Sequence, residues 1–406
     1  MKKLRIAALA ACAMACVAGA SSAGAATIVL NGLGTITNTG ARQGYQVAAK
    51  YWENMLTNKA TVVFDVGFAA LRPGVLGSTG SERLDVPTNV IYNAMAATGN
   101  SALDAIALSS LRAEIIAAGG NGLDMRLSRL SDPTATYFDT THGGANSNNN
   151  ITYANTSVLK AIGLLNDLEM DASITFSSEF AFDFDPTDGV ATGTSDFIGV
   201  AIHEMGHGLG FVSGVDFYDY YSCTEGPGCG DATDADLQNI GGLNSTLDFF
   251  RYNSSGELDW SVGSNSYFSI DGGATQFNGK SGFSAGAYNG DGWQASHWKA
   301  PTVTLPDGTF YTCGKANRIG IMNPYLCNGQ TGDMTGTDIA AFDAMGWNTR
   351  VNALTNPGYY QTSGDIYRQF INSVVPEPST WVMMMTGFGL AGAAMRRKKT
   401  EARYAF

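Results

Sequence analysis

Between Gly193 and Phe211 the chain reads GTSDFIGVAIHEMGHGLGF, and no other stretch constrains the fold as much. Ser195 stands where a helix N-cap is expected, with Asp196 in the first turn. Ile198, Ile202, Met205 and Leu209 fall on one helical stripe, and His203 and His207 fall on the opposite side. Gly206 and Gly208 each cost about 1 kcal/mol of helix stability relative to Ala, so close approach by another backbone is expected there. Gly210 permits a left-handed turn that ends the helix. The segment therefore needs an apolar layer behind it and an open face in front.

In HEMGH, the two His stand at i and i+4, one above the other on one face. Their ring nitrogens can meet one zinc ion, with Glu204 beside them. Zinc lowers the pKa of water to ~7, and a neighbouring carboxylate can take the proton as the oxygen attacks a carbonyl. Zinc hydrolases use three protein ligands and keep one position open. A third His spaced as HEXXHXXGXXH would occupy position 213, which is Ser213. Two candidates remain: Asp216, three residues on, and His297 in QASHWKAP. Imidazole suits zinc better than a lone carboxylate, and Asp216 has a second reading, orienting a His through its ring N–H. His142, in THGGANSNNN, reads as a solvated loop residue.

Both ends carry processing signals. Lys2, Lys3 and Arg5 precede an apolar run too short to span a bilayer, followed by SSAGAAT, so residues 1–26 read as a secretory signal peptide. Near the other end, VPEPSTWVMMMTGFGLAGAAMRRKK places Pro376, Glu377 and Pro378 before an apolar stretch and a basic cluster. Residues 376–406 closely resemble the PEP-CTERM sorting signal of Gram-negative bacteria. That resemblance implies export, recognition by an exosortase, tail processing, and a surface or extracellular destination. Membrane contact would come through the tail before processing. Removing both ends takes eight of 24 basic residues but two of 36 acidic ones, so the formal charge moves from −12 to near −18. Such a surface repels nucleic acid and anionic lipid.

Cys223, Cys229, Cys313 and Cys327 remain after the signal is removed. In an exported chain they suggest two disulfides, with 223–229 and 313–327 favoured because TEGPG between the first pair is a turn. DFDPTDG (Asp183, Asp185, Asp188) and DATDAD (231–236) raise calcium, but neither has the ladder of an EF-hand loop, and turns are expected. Strands are expected at 27–30 and 61–68, and helices at 41–57, 102–118, 157–165 and 337–347. SEFAFDFDPTDG alternates Phe180, Phe182 and Phe184 with acidic residues, as in a half-buried strand. The expected organisation is one domain over 27–350, with subdomains 27–211 and 212–350, then a spacer over 351–375.

The order HEMGHGLGF, a long insertion, SHWK and GIMNP resembles the metzincin clan of zinc peptidases, and most of all its leishmanolysin-type members. DFIGVAIHEMGHGLGFVSGVD, TLDFFRY, YFSIDGG and TDIAAFDAMGW also resemble bacterial metallopeptidases carrying PEP-CTERM tails. The resemblance runs from about 180 to 347. It implies an α+β zincin-like fold, a twisted sheet with the HEXXH helix, and a loop-rich C-terminal part. It also implies His297 as third ligand and Met322 as the Met-turn floor beneath the metal. Tyr325 is a candidate to stabilise an oxyanion, with core packing the favoured reading. The expected function is an exported zinc endopeptidase acting on protein or peptide. The alternative is a non-catalytic, metal-stabilised surface or biofilm-matrix protein.

Overall fold

The computed structural model describes residues 25–140, 147–222, 242–301 and 317–374, with positions 233, 303–304, 310–311, 386 and 388. Four strands form the main sheet: β1 (Thr27–Asn31), β2 (Thr61–Ala69), β3 (Gly77–Ser81) and, later in the chain, Ala172–Ser177. Between them lie β4 (Arg83–Pro87), β5 (Met125–Ser128), β6 (Thr136–Asp139) and β7 (Ile151–Asn155), so the fourth sheet strand is β8. The sheet order is β1-β2-β8-β3, with the first three parallel and β3 antiparallel at the edge. β4 pairs with β7 and β5 with β6, both antiparallel.

Helix α1 (Thr39–Met55) begins at Asn38, whose side chain accepts from Ala41 N. Its apolar face lies on the sheet, where the Tyr45 hydroxyl bonds the carbonyls of Gly67 and Ile174. Helices α2 (Thr88–Thr98) and α3 (Ala102–Ala117) follow, the latter opened by a Ser101–Asp104 capping box. The short α4 (Ser147–Asn150) and α5 (Thr156–Ala161) flank β7. SEFAFDFDPTDG yields only the two-residue strand β9 (Phe182–Asp183), parallel to β10 (Ser195–Asp196). Two of its Phe instead pack on Phe197, with ring centroids 5.0 Å (Phe184) and 5.3 Å (Phe182) away, and Phe180 packs on Phe182. The carboxylates of that stretch cap the turn: Asp183 accepts from Asp185 N and Ala191 N, and Asp185 from Thr187.

Helix α6 (Phe197–Gly208) crosses the sheet beside β3. Its N-cap is Asp196, not Ser195, which is taken up in β10 and donates its hydroxyl to Asn328. The helix is buried nearly all round; among its residues only His203 and His207 are not fully buried. Trp52 from α1 bonds the Ile202 carbonyl at 3.1 Å.

After the short α7 (Val215–Tyr221), regular structure thins to two-residue strands: β11 (Arg251–Tyr252) with β12 (Tyr267–Phe268), and β13 (Val303–Thr304) with β14 (Phe310–Tyr311). Buried carboxylates order the loops here. Asp248 accepts from the Ser213 hydroxyl and from Gly214 N and Ser245 N. The cut expected at 211 does not separate two cores, because one hydrophobic cluster runs through both halves. Helix α8 (Gly336–Ala344) packs on α3, and the segment after it returns to α1, where Arg350 N bonds Met55 O.

Of residues 351–375, expected as a spacer, 360–374 form regular structure. β15 (Asp333–Thr335) pairs with β16 (Tyr360–Thr362), and α9 (Ser363–Val374) packs on α1 with Ile366 and Tyr367 buried. Thr362 and Asp365 cap that helix reciprocally. Among the described residues, no helix is long and apolar enough to cross a membrane.

Candidate metal centre

Three His rings converge in front of α6. Nε2 of His207 lies 3.0 Å from Nε2 of His203 and 3.2 Å from Nε2 of His297. Each ring spends its other nitrogen on a backbone carbonyl: His203 on Ile321 O (2.7 Å), His207 on Phe211 O (2.7 Å) and His297 on Gln294 O (3.2 Å). A carbonyl cannot donate, so each Nδ1 carries the proton, and Nε2 is the nitrogen whose lone pair can be offered inward. Burial pushes His207 down to about 3 and His297 well below the usual imidazole range, keeping both neutral.

Three lone pairs facing one another repel and cannot hydrogen-bond among themselves. A cation between them removes the conflict. Nitrogens about 2.05 Å from a tetrahedral ion stand about 3.3 Å apart, close to the spacings found here. The residues present therefore fit a metal ion, and these three are grouped as possible ligands among the described residues.

His203 and His207 are placed by one helical turn, whereas His297 arrives in a loop pinned from several sides. Asp216 does this work. Its carboxylate accepts from Ala295 N at 2.6 Å, from Ser296 N at 3.1 Å and from the Ser296 hydroxyl. Asp216 is thus neither part of the triad nor bonded to a His ring; its oxygens are filled by the strand of backbone leading to His297. Burial raises Asp216 to about 6. Ser213 N donates to Ser296 Oγ, tying the loop after α6 to the same residue. Arg251, fully buried over the Phe283 ring, bonds the carbonyls of Ala295 and Ser284. On the far side Trp298 N bonds Met322 O.

Glu204 points toward the edge strand. Thr79 in β3 donates to Glu204 Oε2 at 2.7 Å, and Ser81 bonds the His207 carbonyl. A Cβ at Gly77 would stand 2.8 Å from Glu204 Oε1, so the strand can lie this close only because position 77 is glycine. Burial raises the proton affinity of Glu204, and the Thr79 bond opposes the shift. A carboxylate with raised proton affinity is the better proton acceptor near neutral pH.

Met322 is fully buried against the back of α6. A Cβ at Gly206 would meet its sulfur at 2.6 Å, and one at Gly208 would meet the Phe64 ring at 2.7 Å. The close approaches at both glycines are thus by side chains, not by the backbone expected. Asp338 at the start of α8 fixes the turn by accepting from Ile321 N, Met322 N and Trp298 Nε1. Sequence reasoning missed Thr79 and Asp338. The second had a readable signal, since Thr335 and Asp338 form a capping box; GSTGS around Thr79 had none. Tyr325 packs against Trp293 with centroids 4.8 Å apart and the rings tilted by 48°. Cys327 is disulfide-bonded, while His142, Cys223, Cys229, Cys313, DATDAD, the signal segment 1–24 and the triplet Pro376, Glu377 and Pro378 lie outside the described residues.

Comparison with protein families finds the PEP-CTERM protein-sorting motif at residues 374–398. It marks an exported, surface-sorted protein that undergoes exosortase-dependent processing. No curated protein and no solved structure matches the chain.

Proposed function

We propose that this chain is an exported zinc-dependent endopeptidase with a zincin-like fold of the metzincin kind. One observation carries the reading: three buried imidazoles aim bare Nε2 lone pairs at a common point, with a carboxylate of raised proton affinity next to them in the same HEXXH helix. His203, His207 and His297 would hold the ion. Zinc bound there supplies Lewis acidity toward a scissile carbonyl and lowers the pKa of water.

The remaining steps belong to the chain. Glu204, steadied by Thr79, takes a proton from the attacking water and returns it to the leaving amine. β3 presents an edge to which an extended peptide adds as a further strand. Met322 and Asp338 hold His203 through the Ile321 carbonyl, so the ring keeps its tautomer. A purely structural site has no use for a general base beside it, which sets the non-catalytic reading second.

The test is cleavage of an unfolded protein by purified 27–375 and by its Glu204→Ala form, with zinc per chain measured in both. The reading expects near one zinc in each and cleavage only by the parent chain. Zinc in both with cleavage in neither would favour the metal-stabilised surface or matrix protein. Full cleavage by the variant would overturn the mechanism.

A further inference from the structure

A cavity of about 740 Å³ opens at the C-terminal end of β3, beside the His triad. Its walls include Arg83, Asp85 and Tyr153 from the β4–β7 pair, Asp216 and Tyr221 from α7, and Gln294 just ahead of His297. A peptide laid along the edge of β3 across the triad would pass its mouth.

Arg83 is the residue in this cavity with unfilled chemistry. Its guanidinium lies over the Tyr153 ring, 4.5 Å from the centroid. Among the described residues no acceptor takes a hydrogen bond from it, although burial disfavours its charge. The carboxylates nearby are already committed. Asp216 is bonded to Ala295 and Ser296, Asp248 to Ser213, Gly214 and Ser245, and Asp85 to Gly242 N. Asp248 and Asp216 help to hold the positive charge in place without filling its fork of donors. A guanidinium stacked on one face and open at its edge is built to take a carboxylate through paired N–H donors.

We infer that this cavity is a substrate subsite for an acidic side chain, with Arg83 as its specificity residue. The inference rests on the peptidase reading for the identity of the ligand as a peptide, and it names the substrate class that reading leaves open. Antiparallel addition, the more stable pairing, runs the peptide against β3 and so from the cavity toward Gly77. The acidic residue therefore lies on the N-terminal side of the scissile bond. Aromatic walls around the charge exclude water and strengthen the contact. The strongly negative surface outside would repel acidic segments, so a local cation is needed to admit one.

The experiment uses fluorescent octapeptides with Glu, Gln or Lys at a single position, scanned along the peptide. Binding is measured by anisotropy on the zinc-loaded E204Q chain, and cleavage of the same peptides is followed with the parent chain. At one position Glu should be favoured about tenfold or more, the size expected of a charge-assisted hydrogen bond. R83Q should bring that ratio near one, R83K should keep part of it, and R83E should transfer the preference to Lys. Circular dichroism on each variant separates lost folding from lost recognition, and R83K preserves the charge over Tyr153 should R83Q fail to fold. A ratio near one at every position, or a ratio that R83Q and R83E leave unchanged, overturns the inference. Cleavage without Glu preference would sink the subsite and leave the peptidase. A Glu preference in binding with no cleavage would do the reverse.

Discussion

The two halves of the candidate metal centre are held by different physics. On α6, two candidate ligands and the proposed proton acceptor sit within five residues, and helix geometry alone sets their spacing. Around His297, no regular element sets the position; Asp216, Arg251 and Ser213 fix it through side chain–backbone bonds that span 33 to 83 residues of sequence. The first half is local and tolerates loosening elsewhere. The second is a network whose members depend on one another. The contrast teaches that a His triad of this kind can be half motif and half tertiary fold.

The sharpest way to break that contrast is to remove a ligand from each half. His203→Ala and His297→Ala should both reduce bound zinc from near one per chain to near zero under competition with a chelator. Retained zinc in His297→Ala alone would mean that the loop does not contribute a ligand.

Next in size is Asp216→Ala, which leaves every imidazole in place and frees Ala295 N and Ser296 N. Loss of an outer partner of this kind weakens metal affinity about 10–100-fold. The same loss should leave α6 intact, which far-ultraviolet dichroism and the apo-chain melting temperature can check.

A third probe uses pH and the contact between α3 and α8. Asp343 is buried with Oδ1 unpaired, its other oxygen bonded to Ser101, and Asp104 close by. Burial first, then the charge of Asp104, raises it to about 8 from 3.8. The folded state therefore prefers the protonated acid. Its contribution is complete below about pH 4 and is lost as pH rises toward 8, with a slope of at most about 1.4 kcal/mol per pH unit. Urea titrations of the parent and Asp343→Asn across pH 5–9 should diverge in that sense. Parallel profiles would show that Asp343 ionises freely in the fold.

The smallest expected change is Gly206→Ala. The added methyl meets Met322, a flexible neighbour, costing about 1–3 kcal/mol, and the helix regains about 1 kcal/mol in propensity. A small drop in stability with unchanged zinc would place Met322 as packing behind the helix. A large drop in zinc affinity would mean that Met322 positions the rings.

How much of this could be read in advance follows the same division. α1, α3, α6 and α8 announced themselves by apolar spacing and capping residues, and their observed limits lie within three residues of those expected. The edge strand β3 was invisible, because GSTGS carries almost no β propensity and forms a strand only by pairing with β8. α9 was overlooked although Thr362 and Asp365 flank its start as a capping pair, since a stretch before a sorting tail reads as a linker.

From its own letters the chain determined the sorting tail, the helix, and the pairing of His203, Glu204 and His207, because one turn of helix brings i and i+4 together whatever surrounds them. Only the tertiary structure decided between His297 and Asp216 as the residue that joins them, and only it brought Thr79 to Glu204. Those partners are separated by 90 and 125 residues. No periodicity acts over such distances, and packing within the one shared core sets the contact.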